Sequence, residues 1–169
     1  IDNSEWPPKG LYLHESKGKA VFATVAVSLR PQPKIEMYYE NPNEKNRIEV
    51  GLMLQAELEN KHINTIGSSI SGITAIPWDF VTFLAEGHTV EFQTGISEKF
   101  NYAVLTNKLK VFPKIKPADF RGANINLLWL VPISLKERNE MIKSGAEGVL
   151  AKLDNIEEEI FNLKRQEVV

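Results

Sequence analysis

The sequence predicts an α+β fold, a single domain in which helices pack against a mixed, largely antiparallel sheet. Short segments rich in β-branched and aromatic residues, separated by polar turns, indicate strands in both halves of the chain. Apolar residues at helical spacing recur in the middle of the chain and again near its end. The length of 169 residues suits one domain, and 43% hydrophobic with 25% charged residues is typical of a globular protein.

The N-terminal third of the chain predicts an antiparallel meander that follows an extended lead-in over residues 1–10. Gly18 marks the first turn, and Pro31 and Pro33 end the second strand. A polar loop over residues 40–46 is predicted as a hairpin connection. The predicted strands of this region span residues 11–14, 20–29, 35–39 and 48–54.

The middle of the chain changes to helical spacing. Residues 55–60 begin the predicted helix, and three isoleucines lie on one of its faces, namely Ile66, Ile70 and Ile73. Pro77 is predicted to start a further helical turn, because proline is favoured at the first helical position. The residues expected to supply the apolar surface of that turn are Trp78, Phe80, Val81 and Leu84.

The second half of the chain predicts three more strands. Two of them span residues 89–94 and 102–105, and a linker bounded by Pro113 and Pro117 follows. The third lies within residues 124–133, where the run LLWLV is continuously apolar. A run this short and this apolar predicts a strand that is covered on both faces.

The last strand leads into a helix with defined ends. Ser134 and Glu137 have the spacing of a capping box, in which each side chain accepts a hydrogen bond from the other residue's backbone amide. Gly145 is predicted to end that helix. Beyond residue 153, apolar residues keep helical spacing at Ile156, Ile160 and Leu163. This spacing predicts a helical tail over residues 154–169 that rests on the body of the domain.

Composition excludes several classes of function. The chain has no cysteine, which excludes disulfides, thiolate metal sites and cysteine nucleophiles. Its apolar runs fall short of the ~18–20 residues that span a bilayer, and no signal peptide is visible. A net charge of −2 argues against a dedicated nucleic-acid binder. We therefore expect a cytoplasmic protein whose partners include neither membranes nor nucleic acids, with the oligomeric state left open.

Motifs that carry chemistry are sparse. The three histidines, His14, His62 and His88, share no metal-binding spacing, so we expect no metal and no cofactor. Glu86 beside His88, with Asp79 nearby, forms a candidate general-base group for a hydrolase. The competing interpretation, a polar turn before a strand, is favoured, and we expect no catalytic residue.

A protein contact surface is the preferred functional interpretation. Aromatic residues beside acids and next to a polar loop are typical of such surfaces, although half-buried strand residues have the same pattern. The candidate binding residues are Glu36, Tyr38, Tyr39, Glu40, Glu44, Asp79 and Glu86. Lysines alternate with apolar residues between Lys108 and Lys116, which predicts an edge strand protected by charge.

Four stretches, in order, have the pattern of a known family. They are AVFATVAVSL, IEVGLML, IPWDFVTFLAEGHTV and LLWLVPISLKERNEMIKSGAEGVL, and together they resemble the suppressor-of-fused domain family. The last contains a strand, a proline–isoleucine–serine turn, Glu137 and a glycine eight residues later at Gly145. The resemblance covers residues 11–153, so residues 1–10 are expected to be a lead-in and residues 154–169 a tail.

The resemblance implies a mixed α+β domain that binds proteins and has no known catalytic activity. Bacterial single-domain members are similar to immunity proteins, which neutralise polymorphic toxins such as nucleases. The first hypothesis is therefore an antitoxin that occludes the active site of a cognate toxin. An acidic patch would supply the charge, from the six glutamates between Lys34 and Asn60 and the acids of the tail. The alternatives are an adaptor that captures a peptide at a sheet edge and the hydrolase described above.

Overall fold

The computed structural model describes residues 9–169, so most of the predicted lead-in lies outside the described residues. Within that range the chain forms a mixed seven-stranded sheet and three α-helices, which confirms the predicted α+β class. The strands are β1 (Gly10–Ser16), β2 (Lys19–Val25), β3 (Arg47–Gln55), β4 (Thr89–Glu91), β5 (Tyr102–Thr106), β6 (Ala118–Phe120) and β7 (Ala123–Ile133). The helices are α1 (Asn60–Asp79), α2 (Leu135–Ser144) and α3 (Ala146–Asn155).

Strand β7 is the centre of the sheet, whose order is β1-β2-β3-β7-β5-β4. It pairs in parallel with β3 and antiparallel with β5, while β6 pairs with its first residues. From Leu128 to Ile133 every residue of β7 is buried, which confirms a strand covered on both faces. The continuous apolar run is required because neither side of this strand meets water.

Two apolar cores lie on opposite faces of the sheet. Helix α1 covers one face with the buried isoleucines Ile66, Ile70 and Ile73, as predicted. Helices α2 and α3, with a 3₁₀ helix at Glu157–Phe161, cover the other face. None of the helices in residues 9–169 is long and apolar enough to cross a membrane.

The capping box at the start of α2 is confirmed. The Glu137 amide donates to Ser134 Oγ at 3.2 Å, and the Ser134 amide donates to Glu137 Oε2 at 2.8 Å. Gly145 ends α2 with a φ of 85° and leads directly into α3. The strand, cap and helix of this region therefore follow from local signals alone.

The connection from β2 to β3 differs from the prediction. Strand β2 ends at Val25, and the predicted strand over residues 35–39 is wrong, because Ile35–Met37 forms a 3₁₀ helix. Two further 3₁₀ turns, at Val27–Leu29 and Pro42–Glu44, complete a long loop in place of the predicted strand and hairpin connection. Burial of Ile35 anchors this loop to the core.

Three other local predictions are corrected by tertiary contacts. Pro77 does not start a new helix but lies in the last turn of α1. The strand predicted over residues 89–94 stops at Glu91, because the Gln93 backbone bonds to Ser69 Oγ on α1 instead of to a strand. No strand forms between β5 and β6, so the lysines from Lys108 to Lys116 lie on a loop.

The C-terminal residues pack into the body of the domain. After α3, only the 3₁₀ helix at Glu157–Phe161 is helical, and Ile160, Phe161 and Leu163 are buried. Arg165 is buried too and forms an ion pair with Glu137 of α2. The boundary between domain and tail at residue 154 stays a prediction.

Candidate functional site

Two surface segments meet at the edge of the α1 face, and a buried glutamine joins them. The side-chain amide of Gln32 donates to the Leu84 carbonyl at 3.0 Å, and the Leu84 amide donates to Gln32 Oε1 at 2.8 Å. This pair of hydrogen bonds holds the loop over residues 30–46 against residues 80–88. No sequence pattern predicts this pair of hydrogen bonds, because a lone glutamine between two prolines belongs to no motif.

The joined segments form an aromatic cluster around Phe83. The Tyr38 ring lies 4.9 Å from the Phe83 ring, and the Tyr39 ring packs edge-on at 6.1 Å. The His88 ring also contacts Phe83, with 5.3 Å between the ring centroids. Such aromatic pairs add about 0.5–1.5 kcal/mol beyond the area they bury, so the cluster is a firm support for its exposed members.

Large apolar side chains beside this cluster are exposed. Phe80 is 74% exposed and Tyr38 is 64% exposed, and Met37 and Val81 are also open to solvent. Of the residues expected to supply apolar surface here, Leu84 is buried and Trp78 packs on the core, whereas Phe80 and Val81 face outwards. We call the exposed group and its aromatic support the contact surface: Met37, Tyr38, Tyr39, Phe80, Val81, Phe83 and His88.

The backbone at Val81 is strained. Its φ is 50°, in the left-handed region that β-branched residues seldom adopt. It occupies the position after the α1 cap, where the Thr82 amide bonds back to the Pro77 carbonyl at 2.8 Å and where glycine is favoured. Strain of this kind clusters at functional sites, and here it turns Phe80 and Val81 towards solvent.

The predicted acidic residues around this surface have different environments. Glu36, Glu40, Glu44 and Asp79 are exposed, and Glu44 accepts a hydrogen bond from the Asn41 side chain at 2.9 Å. Burial lowers the pKa of Lys9, and the negative charge of Asp79 partly opposes this shift. All four side chains are open to solvent, and their role in binding stays a prediction.

The Glu86 side chain, by contrast, already makes hydrogen bonds within the protein. Its carboxylate accepts hydrogen bonds from the Thr106 hydroxyl and from the Asn107 amide. Burial lowers the pKa of the His88 imidazole, against an opposing backbone hydrogen bond at Phe83. The two groups are therefore held by separate partners, which gives the hydrolase hypothesis no geometric support. Within residues 9–169, no group of three or more histidine, aspartate or glutamate side chains is placed to bind a metal.

The acids between Lys34 and Asn60 do not form one patch. Glu49 is half-buried and accepts hydrogen bonds from the Thr24 and Ser28 side chains. Glu57 and Glu59 follow the far end of β3, a nine-residue strand that separates them from Glu44 by roughly 30 Å. Only the acids from Glu36 to Glu44 lie on the loop that carries Tyr38 and Tyr39.

An open groove continues from the contact surface along the edge of the sheet. It has a volume of about 640 Å³ and lies between α1 and the edge strand β4. Ile73, Ile76 and Val90 give it an apolar lining, and Phe83 and His88 belong to both the groove and the contact surface. The geometry suits an extended segment that pairs with β4 and inserts side chains towards α1.

Comparison with known proteins identifies the family. The model of the family described as suppressor of fused protein (SUFU) matches residues 9–166. No curated protein matches the chain.

Solved structures share the fold at low sequence identity. A SUFU homologue from Neisseria gonorrhoeae has a TM-score of 0.64 and 16% identity, with 98% of this chain and 81% of that chain covered. A Sufu–Fu complex has a TM-score of 0.64 and 13% identity, over 95% of this chain and 76% of that chain.

Drosophila Suppressor of Fused is longer than this chain. It has a TM-score of 0.64 and 11% identity, and the match covers 95% of this chain but only 42% of that chain. The structural matches agree with the family match over nearly all of the described residues. This chain belongs to the suppressor of fused protein family.

Proposed function

We propose that this chain is a cytoplasmic immunity protein that binds a cognate protein toxin and blocks its active site. The observation that carries the proposal is the contact surface, where large apolar side chains are exposed beside packed aromatic rings. Exposed patches of this kind mark protein interaction sites. Family membership and the protein complex formed by Sufu with Fu support a binding role, and the resemblance to bacterial immunity proteins supports a toxin as the partner.

The arrangement suggests how such a partner would be held. Tyr38 and Phe80 would insert as anchors, since aromatic residues dominate the energy of protein interfaces. Glu36, Glu40 and Glu44 would form a charged rim that attracts a basic active site, such as that of a nuclease. Binding would then occlude the toxin's substrate without any chemical step.

Loss of the anchors is expected to abolish protection. The protein encoded next to this chain's own gene would be produced in a bacterial host, with and without this chain, and growth would be measured. Protection by the unaltered chain is expected, and it should be lost when Tyr38 and Phe80 are both changed to serine. Because each anchor should contribute more than ~1.4 kcal/mol, the double change should lower the affinity for the toxin at least about a hundredfold. Both side chains are largely exposed, so the fold should persist.

Ile142 supplies the matched control for this experiment. It lies on α2 and is 65% exposed, close to the 64% of Tyr38, but it is remote in sequence from the contact surface. The Ile142→Ser variant should protect as well as the unaltered chain. Equal protection by the Tyr38→Ser and Phe80→Ser double variant would contradict the assignment of this surface.

Charge reversal at the rim is expected to slow association. Changing Glu36, Glu40 and Glu44 to lysine should lower the association rate about tenfold or more at low salt, and raising the salt should reduce the difference. Stopped-flow fluorescence at several salt concentrations would measure it. Reversal of Glu57 and Glu159, which are exposed elsewhere, serves as the control. An association rate that does not depend on salt would refute the electrostatic part of the proposal.

A second candidate function is an adaptor that captures a peptide at the sheet edge. The groove between α1 and β4 favours it, because an extended segment paired with β4 would place side chains on Ile73, Ile76 and Val90. The binding experiment separates the two functions. A partner that binds through a short unfolded segment selects the adaptor, and a partner that must be folded selects the immunity protein.

A further inference from the structure

A second groove lies on the opposite face of the sheet, the face that α2 and α3 partly cover. Its volume is about 750 Å³. The floor is formed by sheet residues that include Ala23, Leu127 and Trp129, and one wall is the loop between β5 and β6. The groove shares no residue with the contact surface, so its function is a separate question.

The floor of this groove continues onto an uncovered part of the sheet. Tyr12 on the edge strand β1 pairs directly with Ala23, and Val25 follows two residues later on β2. All three side chains therefore point to the same face. Tyr12 and Val25 are exposed, which leaves an apolar strip open from the groove to the edge of the sheet.

The wall of the groove is basic. Its lysines are Lys108, Lys110, Lys114 and Lys116. The one carboxylate in the lining belongs to Glu49, whose oxygens already accept hydrogen bonds from Thr24 and Ser28. Lys110 pairs with Asp154 at 2.9 Å, but the other three lysines form no ion pair with any residue in 9–169.

We infer that this groove binds an extended acidic segment of another protein, with apolar side chains alternating with carboxylates. Apolar residues of such a segment would contact the floor, and its carboxylates would meet the unpaired lysines of the wall. Successive side chains of an extended segment point to opposite sides. A segment that alternates apolar and acidic residues would therefore turn the apolar ones to the floor and the carboxylates to the wall. Nucleic acid fits less well, because the Trp129 ring is buried and stacked on Phe112 at 5.2 Å and offers no face to a base.

Binding of defined peptides tests the inference. The probe is a fluorescein-labelled ten-residue peptide of alternating glutamate and leucine, measured by fluorescence anisotropy with the full chain. Two comparison peptides replace glutamate with lysine or leucine with serine, and a ten-residue oligothymidylate represents nucleic acid. The glutamate–leucine peptide is expected to bind at least tenfold more tightly than any of the three, with affinity falling as salt rises.

Substitutions then locate the site. The double variant that combines Lys114→Glu and Lys116→Glu is expected to weaken binding of the acidic peptide about tenfold or more. Ile115→Ser is expected to weaken it severalfold. All three side chains are exposed, so the fold should persist. The control reverses Lys143 and Lys164, which are exposed outside the groove, and should leave binding unchanged.

The same measurements can overturn the inference. Equal binding of the acidic and basic peptides, tighter binding of the oligothymidylate, or no effect of the Lys114 and Lys116 reversals would each refute it. The Tyr38 and Phe80 variants should bind the acidic peptide normally. Failure of the immunity proposal would therefore be distinguishable from failure of this one.

Discussion

Replacing Arg165 with methionine is expected to lower the free energy of unfolding by about 3–5 kcal/mol. The guanidinium donates to the two carboxylate oxygens of Glu137 at 2.7 and 2.9 Å. The side chains of Arg165 and Glu137 are 1% and 0% exposed. Methionine would fill the space but leave the Glu137 carboxylate buried without its cation.

This ion pair joins three parts of the molecule. Arg165 also donates to the Pro132 carbonyl in β7 at 3.0 Å, and its guanidinium lies 4.4 Å from the Phe100 ring centroid. Glu137 accepts from the amides of Ser134 and Val168 as well. The C-terminal residues are thereby fixed to the end of the central strand and the start of α2, and their loss would expose both.

A second variant isolates the buried charge as the cause. Adding Glu137→Gln to Arg165→Met removes the unpaired carboxylate while keeping an acceptor for the Ser134 amide. The double variant should therefore be more stable than Arg165→Met alone. If the two changes acted independently, the second would lower the free energy of unfolding further, so a rise would show that the two residues are coupled. Urea unfolding monitored by circular dichroism measures both.

Lys164 provides the control for the Arg165 experiment. It precedes Arg165 and is exposed, so Lys164→Ala should change the unfolding free energy by no more than ~0.5 kcal/mol. A loss below ~1 kcal/mol for Arg165→Met would show that the ion pair does not hold the C-terminal residues in place.

Replacing Gly51 with alanine is expected to destabilise the protein by about 1–3 kcal/mol through overpacking. Gly51 on β3 lies directly opposite Trp129 on β7. A Cβ atom at position 51 would lie 2.6 Å from the Cε3 and Cζ3 atoms of the indole ring. The ring cannot move away freely, because it is buried and stacks on Phe112.

A double-mutant cycle tests this account of Gly51. Trp129→Phe alone should destabilise by leaving a cavity, whereas the added methyl of Gly51→Ala should fill part of that cavity. The two changes are therefore expected to couple favourably by about 0.5–3 kcal/mol. Additive effects would contradict the steric explanation.

Gly148 gives a control of opposite sign. It lies within α3, and a Cβ atom there would meet nothing within 4 Å. Gly148→Ala should stabilise the protein by about 0.5–1 kcal/mol, because alanine is the better helix former. The comparison separates the effect of the added methyl group from the effect of its surroundings.

Features with a local cause were predictable from the sequence. The capping pair of Ser134 and Glu137, the end of α2 at Gly145 and the buried stripe of α1 follow from residues within a few positions of one another. The apolar run of β7 predicted that both faces of this strand are covered, for the same reason. Each signal acts over one turn of helix or one strand, so no tertiary information is needed.

The candidate site was predicted only in part. The acidic neighbours of Tyr38 and Tyr39 predict a contact surface there, and in the structure both rings pack against Phe83. Phe80 and Val81 were expected on the apolar surface of a helix, but α1 ends at Asp79 and the backbone turns at Val81. The residues Ile35–Met37 form a 3₁₀ turn although their pattern predicts a strand, since an isoleucine beside aromatic residues suits either structure.

By itself, the sequence determined the fold class, the central strand with its capped helix, and a resemblance to the family to which the chain belongs. Only the tertiary structure decided which charges act together: Arg165 meets Glu137 in the core, Glu86 is held by Thr106 and Asn107, and the lysines line a groove. The physical reason is distance along the chain. Hydrogen bonds and ion pairs between residues tens of positions apart leave no periodic pattern, whereas caps and apolar faces arise from near neighbours.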